Sequence, residues 1–164
     1  NINSDLEDST IKQLANSVLT FSDLITNRKT DYKFDLEKFT NVNGKTGIYV
    51  QYAQVRAKRL QQSVSQQKIE IESLVLSDVD KQLLSQLFMF GYFLEQSSSL
   101  NEPHHLANYL YDISNSFNQF YEHEKLSEIK DINHLISKFY LINLFLTTSE
   151  NVMFCLGMKP VDKM

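Results

Sequence analysis

Three observations predict an all-α fold, a helical bundle of about five helices. In 164 residues Gly occurs 4 times and Pro twice, far short of the turn chemistry that a sandwich or barrel needs roughly every 8–12 residues. Hydrophobic residues make up 42% and charged residues 22%, the values of a globular chain that can fill one core. Apolar residues recur at spacings of three and four over long stretches, which buries one face of a helix.

The first helix is expected over 5–26, capped by Ser4 or Asp5, with Leu6, Ile11, Leu14, Val18 and Leu19 on its apolar face. Residues 27–43 read as a polar connector holding one short helical turn. Gly44-Lys45-Thr46-Gly47 breaks the chain, and a second helix follows over 46–67, fraying in the Gln/Ser-rich stretch 61–67. Ser77-Asp78 caps a third helix over 78–97. Its apolar residues lie on most sides, which suggests a central position. Asn101-Glu102-Pro103 opens a fourth helix, with Pro where the missing N–H costs nothing. A fifth helix spans 131–156 and Gly157 stops it. The organisation expected is a leading helix and connector at 1–43 and a bundle at 44–164.

A single cysteine, Cys155, excludes an internal disulfide and a multi-cysteine zinc site. The charge-free apolar runs are shorter than the ~20 residues that span a bilayer, and no signal peptide opens the sequence. A reduced, cytoplasmic setting and no membrane partner are expected. The chain starts at Asn1 rather than Met, as a piece of a longer protein would. Net charge is −4, but nine Lys/Arg against three Asp/Glu fall between Arg28 and Lys68. A basic stretch on an acidic chain is the footprint of a phosphate-facing surface.

Few constellations carry catalytic chemistry. The Gly44–Gly47 stretch lacks the distant glycine and the strand of a phosphate loop. His104, His105, His123 and His134 show no i, i+4 metal spacing, so no metal site is expected and the first two read as solvated. Two helical faces are more informative. At 100° per residue, Tyr49, Tyr52, Arg56 and Arg59 fall within an arc of about 80°, and aromatic planes beside guanidinium groups grip unstacked bases and phosphates. On the fourth helix Tyr111, Ser114, Asn118, Tyr121 and Lys125 share one flank. Tyrosines at this spacing also occur in plain cores with their hydroxyls reaching water, so a helical protein-interaction bundle without RNA binding remains the alternative.

Longer motifs then stand out. Asn27-Arg28-Lys29-Thr30-Asp31-Tyr32-Lys33-Phe34-Asp35 is followed by Gly44-Lys45-Thr46-Gly47-Ile48-Tyr49-Val50-Gln51-Tyr52-Ala53-Gln54-Val55-Arg56. Leu106-Ala107-Asn108-Tyr109-Leu110-Tyr111-Asp112 and Phe117-Asn118-Gln119-Phe120-Tyr121 come next, and the chain closes on Met164. In order and spacing these resemble the C-terminal part of the class I arginyl-tRNA synthetases. That family reads N-R-x-x-D-Y-x-F-D, G-x-T-G-P-Y-L-Q-Y-A-H-A-R and L-A-N-Y-L-Y-D-L…F-N-x-F-Y. Ile48 stands for the family Pro, Gln54 for the His, and Ser137-Lys138-Phe139 for an Ala-Arg-Leu type sequence.

The resemblance implies an anticodon-binding domain of the all-helical class Ia type. Its partners would be the tRNA for arginine, through the anticodon loop, and a parent catalytic domain. Tyr52 and Tyr121 would lie by the splayed loop and Met164 would close over it. Tyr49, Arg56, Arg59, Asn118 and Lys125 are the further candidates for RNA contact. Neither His-x-Gly-His nor Lys-Met-Ser-Lys occurs, so these residues are expected to be catalytically inactive and to take no cofactor. ATP and arginine would bind the catalytic domain. A monomer is expected.

Overall fold

The computed structural model describes residues 7–33, 35–63 and 73–164. Its elements, in order, are α1 (Asp8–Ile25), the short α2 (Leu36–Phe39), α3 (Gly47–Ser63), α4 (Asp78–Leu87), α5 (Phe90–Leu100), α6 (His104–His123), a 3-10 turn (Leu126–Glu128) and α7 (Ile132–Cys155). No strand occurs among the described residues. The expected caps at Ser4 or Asp5, the helix end at 64–67 and Phe34 lie outside the described residues.

Local chemistry sets the helix ends. Thr46 starts α3: its Oγ1 accepts from the Tyr49 N–H at 3.1 Å, the usual N-cap bond. Ser77 caps α4 with a full capping box, its hydroxyl accepting from Asp80 N–H while the Asp80 carboxylate accepts from Ser77 N–H. Asp131 caps α7 through the N–H groups of Asn133 and His134. Gly157 ends α7 at φ 72°, and the Met158 N–H reaches back to the Met153 carbonyl at 2.8 Å, a Schellman closure.

The expected third helix is two helices. α4 stops at Leu87 and α5 begins at Phe90, with no Gly or Pro at the break. The Tyr109 hydroxyl donates to the carbonyls of Gln86 and Leu87, each 3.1 Å away, at the place where the helical ladder would have used them. A side chain inserted into the ladder breaks a helix in this way. The break also overturns the central position expected for 78–97. α5 buries no residue completely, and Phe88, Met89, Tyr92 and Leu94 are exposed.

The centre belongs to α6, which packs against α1, α3, α4, α5 and α7. Tyr109, Leu110, Ile113 and Phe117 on α6 are fully buried with Phe21 of α1, Val50 and Ala53 of α3, Leu83 of α4 and Phe145 of α7. Phe117 and Phe145 stack at 4.2 Å. A second, smaller cluster joins Leu14 and Val18 of α1, Phe39 of α2, Ile48 and Val55 of α3 and Val161 of the tail, with Met164 against it. Burial of each such side chain contributes about 1.5–3 kcal/mol.

Two features position α3. Gly47 meets α1 so closely that a Cβ there would lie 2.3 Å from the Ser17 carbonyl oxygen. One turn on, the fully buried Gln51 donates to Ser17 Oγ and to the Lys159 carbonyl, and accepts from the Val161 N–H. One amide thus ties α1, α3 and the tail together.

Candidate nucleic-acid interface

α3 and α6 lie side by side, and the tail returns between them and the connector. The groove they form has a volume of about 530 Å³ and is lined by Val42, Asn43, Tyr49, Tyr52, Arg56, Asn115, Asn118, Gln119, Glu122 and Met164. Tyr49, Tyr52 and Arg56 come from the polar arc of α3. Asn115, Asn118, Gln119 and Glu122 come from one flank of α6.

Arg56 organises the rim. Its guanidinium lies 4.4 Å from the ring centroids of both Tyr52 and Tyr121, a cation–π contact to each. One nitrogen donates to Asn118 Oδ1 at 3.0 Å and meets Glu122 Oε1 at 3.4 Å. The two rings are thereby held in place while Tyr52 is 36% and Tyr121 37% exposed. At the floor, the half-buried Tyr49 donates to Asn115 Oδ1 at 3.2 Å and its ring lies 5.4 Å from that of Tyr111. Burial, with the neighbouring Tyr49 and Asp112, pushes the Tyr111 phenol above its ordinary value. The Lys45 ammonium sits over the same ring and donates to Asn108.

Of the eight candidates, Tyr49, Tyr52, Arg56, Asn118 and Met164 line the groove, and Tyr121 stands beside it on Arg56. Arg59 and Lys125 do not line it. Arg59 is exposed at the far edge of the α3 arc, one turn beyond Arg56. Lys125 would share the α6 flank if the helix continued. α6 ends at His123, Glu124 is extended, and Lys125 pairs with Glu128 at 3.1 Å. Ser114 turns inward and bonds its own helix at Leu110. The basic stretch is also partly engaged within the chain: Lys29 pairs with Glu102, Arg56 with Glu122, and Lys58 with Glu150 and Asp162.

Asn115 and Glu122 were not among the expected residues. Both lie at helical spacing from Asn118, and that periodicity was the available signal. What sets their roles is α3, whose Tyr49 and Arg56 they meet.

The model of the "DALR anticodon binding domain" family matches residues 50–164, which contain α6, the tail and α3 beyond its first turn.

This chain belongs to the DALR anticodon-binding domain family. Similar proteins carry the same architecture inside longer chains. The arginine–tRNA ligase of Francisella tularensis subsp. novicida (strain U112) is 35% identical over 133 residues, 76% of this chain and 23% of that protein. The arginine–tRNA ligase of Buchnera aphidicola subsp. Cinara cedri is 29% identical over 160 residues, 94% of this chain and 28% of that protein. The chain thus spans about a quarter of the length of these relatives. The arginyl-tRNA synthetase of Plasmodium falciparum superposes with a TM-score of 0.82 at 28% identity, over 96% of this chain and 28% of that one. The Thermus thermophilus arginyl-tRNA synthetase superposes with a TM-score of 0.87 over 99% of this chain and 29% of that one; at 23% identity this likeness speaks for the DALR fold.

Proposed function

We propose that this DALR domain reads the anticodon loop of the tRNA for arginine, as the recognition part of an arginine–tRNA ligase. One observation carries the reading: two half-exposed tyrosines, Tyr52 and Tyr121, held on a shared guanidinium beside a groove of amides. Exposed rings offer stacking platforms to splayed bases. Asn115, Asn118 and Gln119 offer donors and acceptors to base edges. Arg59 and Lys125, outside the groove, would meet backbone phosphates. Met164 would close over the loop.

On this reading the joining of arginine to tRNA with ATP belongs to a part of the protein outside these residues. The domain needs neither ligand, and its contribution is to hold the tRNA in register. On this reading the protein would work as a monomer in the cytoplasm; no described helix is long and apolar enough to cross a membrane.

The test is fluorescence anisotropy of a labelled arginine-tRNA anticodon stem-loop, against a loop with its central anticodon base changed. Preference for the cognate loop is expected. Tyr52→Ala and Tyr121→Ala should each weaken binding by about 1–3 kcal/mol, the worth of one stacked base, with circular dichroism unchanged. Wild-type affinity in both variants would remove the stacking argument. Absence of binding at low salt would favour the interaction bundle.

A further inference from the structure

The start of α6, where it meets the end of α1, gathers three groups that could ligate a metal. Glu102 precedes the helix, and His104 and His105 are its first two residues. One donor atom from each lies within 4.8 Å of the other two. His105 Nε2 and Glu102 Oε2 are 3.2 Å apart. A tetrahedron with zinc–nitrogen arms of ~2.0–2.1 Å has edges of roughly 3.3 Å, so this pair already spans one edge. The two imidazole rings lie 4.1 Å apart. The Glu102 side chain is 15% and that of His105 31% exposed, so the cluster is recessed but reachable.

An ion pair between His105 and Glu102 accounts for two of the three groups. It leaves His104 unexplained. The His104 Nδ1 is buried without a hydrogen-bond partner, and such an atom has lost its hydration with nothing in return. Its other nitrogen, Nε2, lies 3.5 Å from the Asn27 amide.

We propose that Glu102, His104 through Nδ1 and His105 through Nε2 hold one divalent transition-metal ion of the zinc class, with water completing the coordination. The adjacent placement of the histidines explains why helical i, i+4 spacing does not reveal the site. The Asn27 oxygen already accepts from the Lys29 N–H at 2.9 Å, so its amide nitrogen faces His104 Nε2 and would turn away when Nδ1 binds the ion. The nearest cation, Lys29, lies 3.6 Å from Glu102 and its side chain is 75% exposed, so it can swing into solvent. The dipole at the start of α6 opposes a cation, and the Glu102 carboxylate offsets that field. This site is independent of the anticodon reading.

Calorimetric titration of Zn²⁺ into the 164-residue chain at neutral pH tests the proposal, with Co²⁺ as a spectroscopic substitute. One-to-one binding and a tetrahedral Co²⁺ band are expected. Both should vanish in His105→Ala and in the near-isosteric Glu102→Gln, which preserves the fold if the alanine variant does not. His123→Gln, remote from the cluster, should leave binding unchanged. No saturable binding to the wild type, or equal binding to Glu102→Gln, would overturn the proposal.

Discussion

Arg56 contacts two aromatic rings, one amide and one carboxylate through a single planar group. On the anticodon reading Arg56, its charge already engaged with Glu122, would serve to place Tyr52 and Tyr121, and Arg59, exposed and outside the groove, would act as a point charge. The two should therefore behave differently. Arg56→Ala should lower stem-loop affinity at every salt concentration, by about tenfold or ~1.4 kcal/mol. Arg56→Lys should not restore it, because an ammonium cannot reproduce the planar contact. Arg59→Ala should reduce the log–log salt slope by about 1. Affinity measured against salt for the three variants separates the roles; equal slopes in wild type and Arg59→Ala would remove the phosphate contact. The arc of α3 was legible in the sequence because helical geometry alone puts Tyr49, Tyr52 and Arg56 together. That Arg56 would be shared between two tyrosines was not, since Asn118 and Glu122 come to it from a helix more than sixty residues away.

At the scale of elements, the helices whose ends carry caps were legible. Ser77, Asp131 and Gly157 mark their boundaries with hydrogen bonds formed by residues next in sequence. The division of 78–97 was not, because its cause is Tyr109, a residue of the following helix. Phe88 and Met89 at the break do not announce it, and Gly91 lies just inside α5, so the stretch read as one central helix. Gly47 is a second case in which a neighbour decides. Its place in the Gly44–Gly47 motif looks like a simple break, yet it permits the closest approach of α1 and α3. A Cβ at 47 would meet three backbone atoms of Ser17 and Val18 between 2.3 and 2.9 Å away, and backbone cannot step aside as a side-chain end can. Gly47→Ala should therefore destabilise the fold by about 1–3 kcal/mol or more. Urea denaturation would show it as a lower midpoint, and an unchanged midpoint would mean that the helices separate freely.

At the scale of the whole molecule, one ion pair lies inside the bundle. Lys138 Nζ donates to Asp80 Oδ1 at 2.7 Å, with the two side chains 1% and 0% exposed. Glu124 and His134 flank the pair at 3.5 Å, and the ammonium lies over the Phe120 ring. Removing one partner strands a buried charge, so Lys138→Ala should cost about 3–5 kcal/mol in denaturant titration; a loss below 1 kcal/mol would mean that water reaches Asp80. Burial alone would raise the Asp80 carboxyl, but the Lys138 and Ser77 hydrogen bonds hold it below its ordinary value. Its contribution to stability is therefore complete above the unfolded pKa of about 3.9 and is lost as pH falls through the lower folded value. Asp80→Asn should flatten this part of the acid-unfolding curve. Gln51 joins parts of the chain that are made at very different times. Its amide waits for the Val161 N–H, 110 residues downstream. At 5–20 residues per second that interval lasts roughly 5–20 s. α1 and α3 can pair on the ribosome long before, but the buried Gln51 amide gains its remaining partners only when the tail docks.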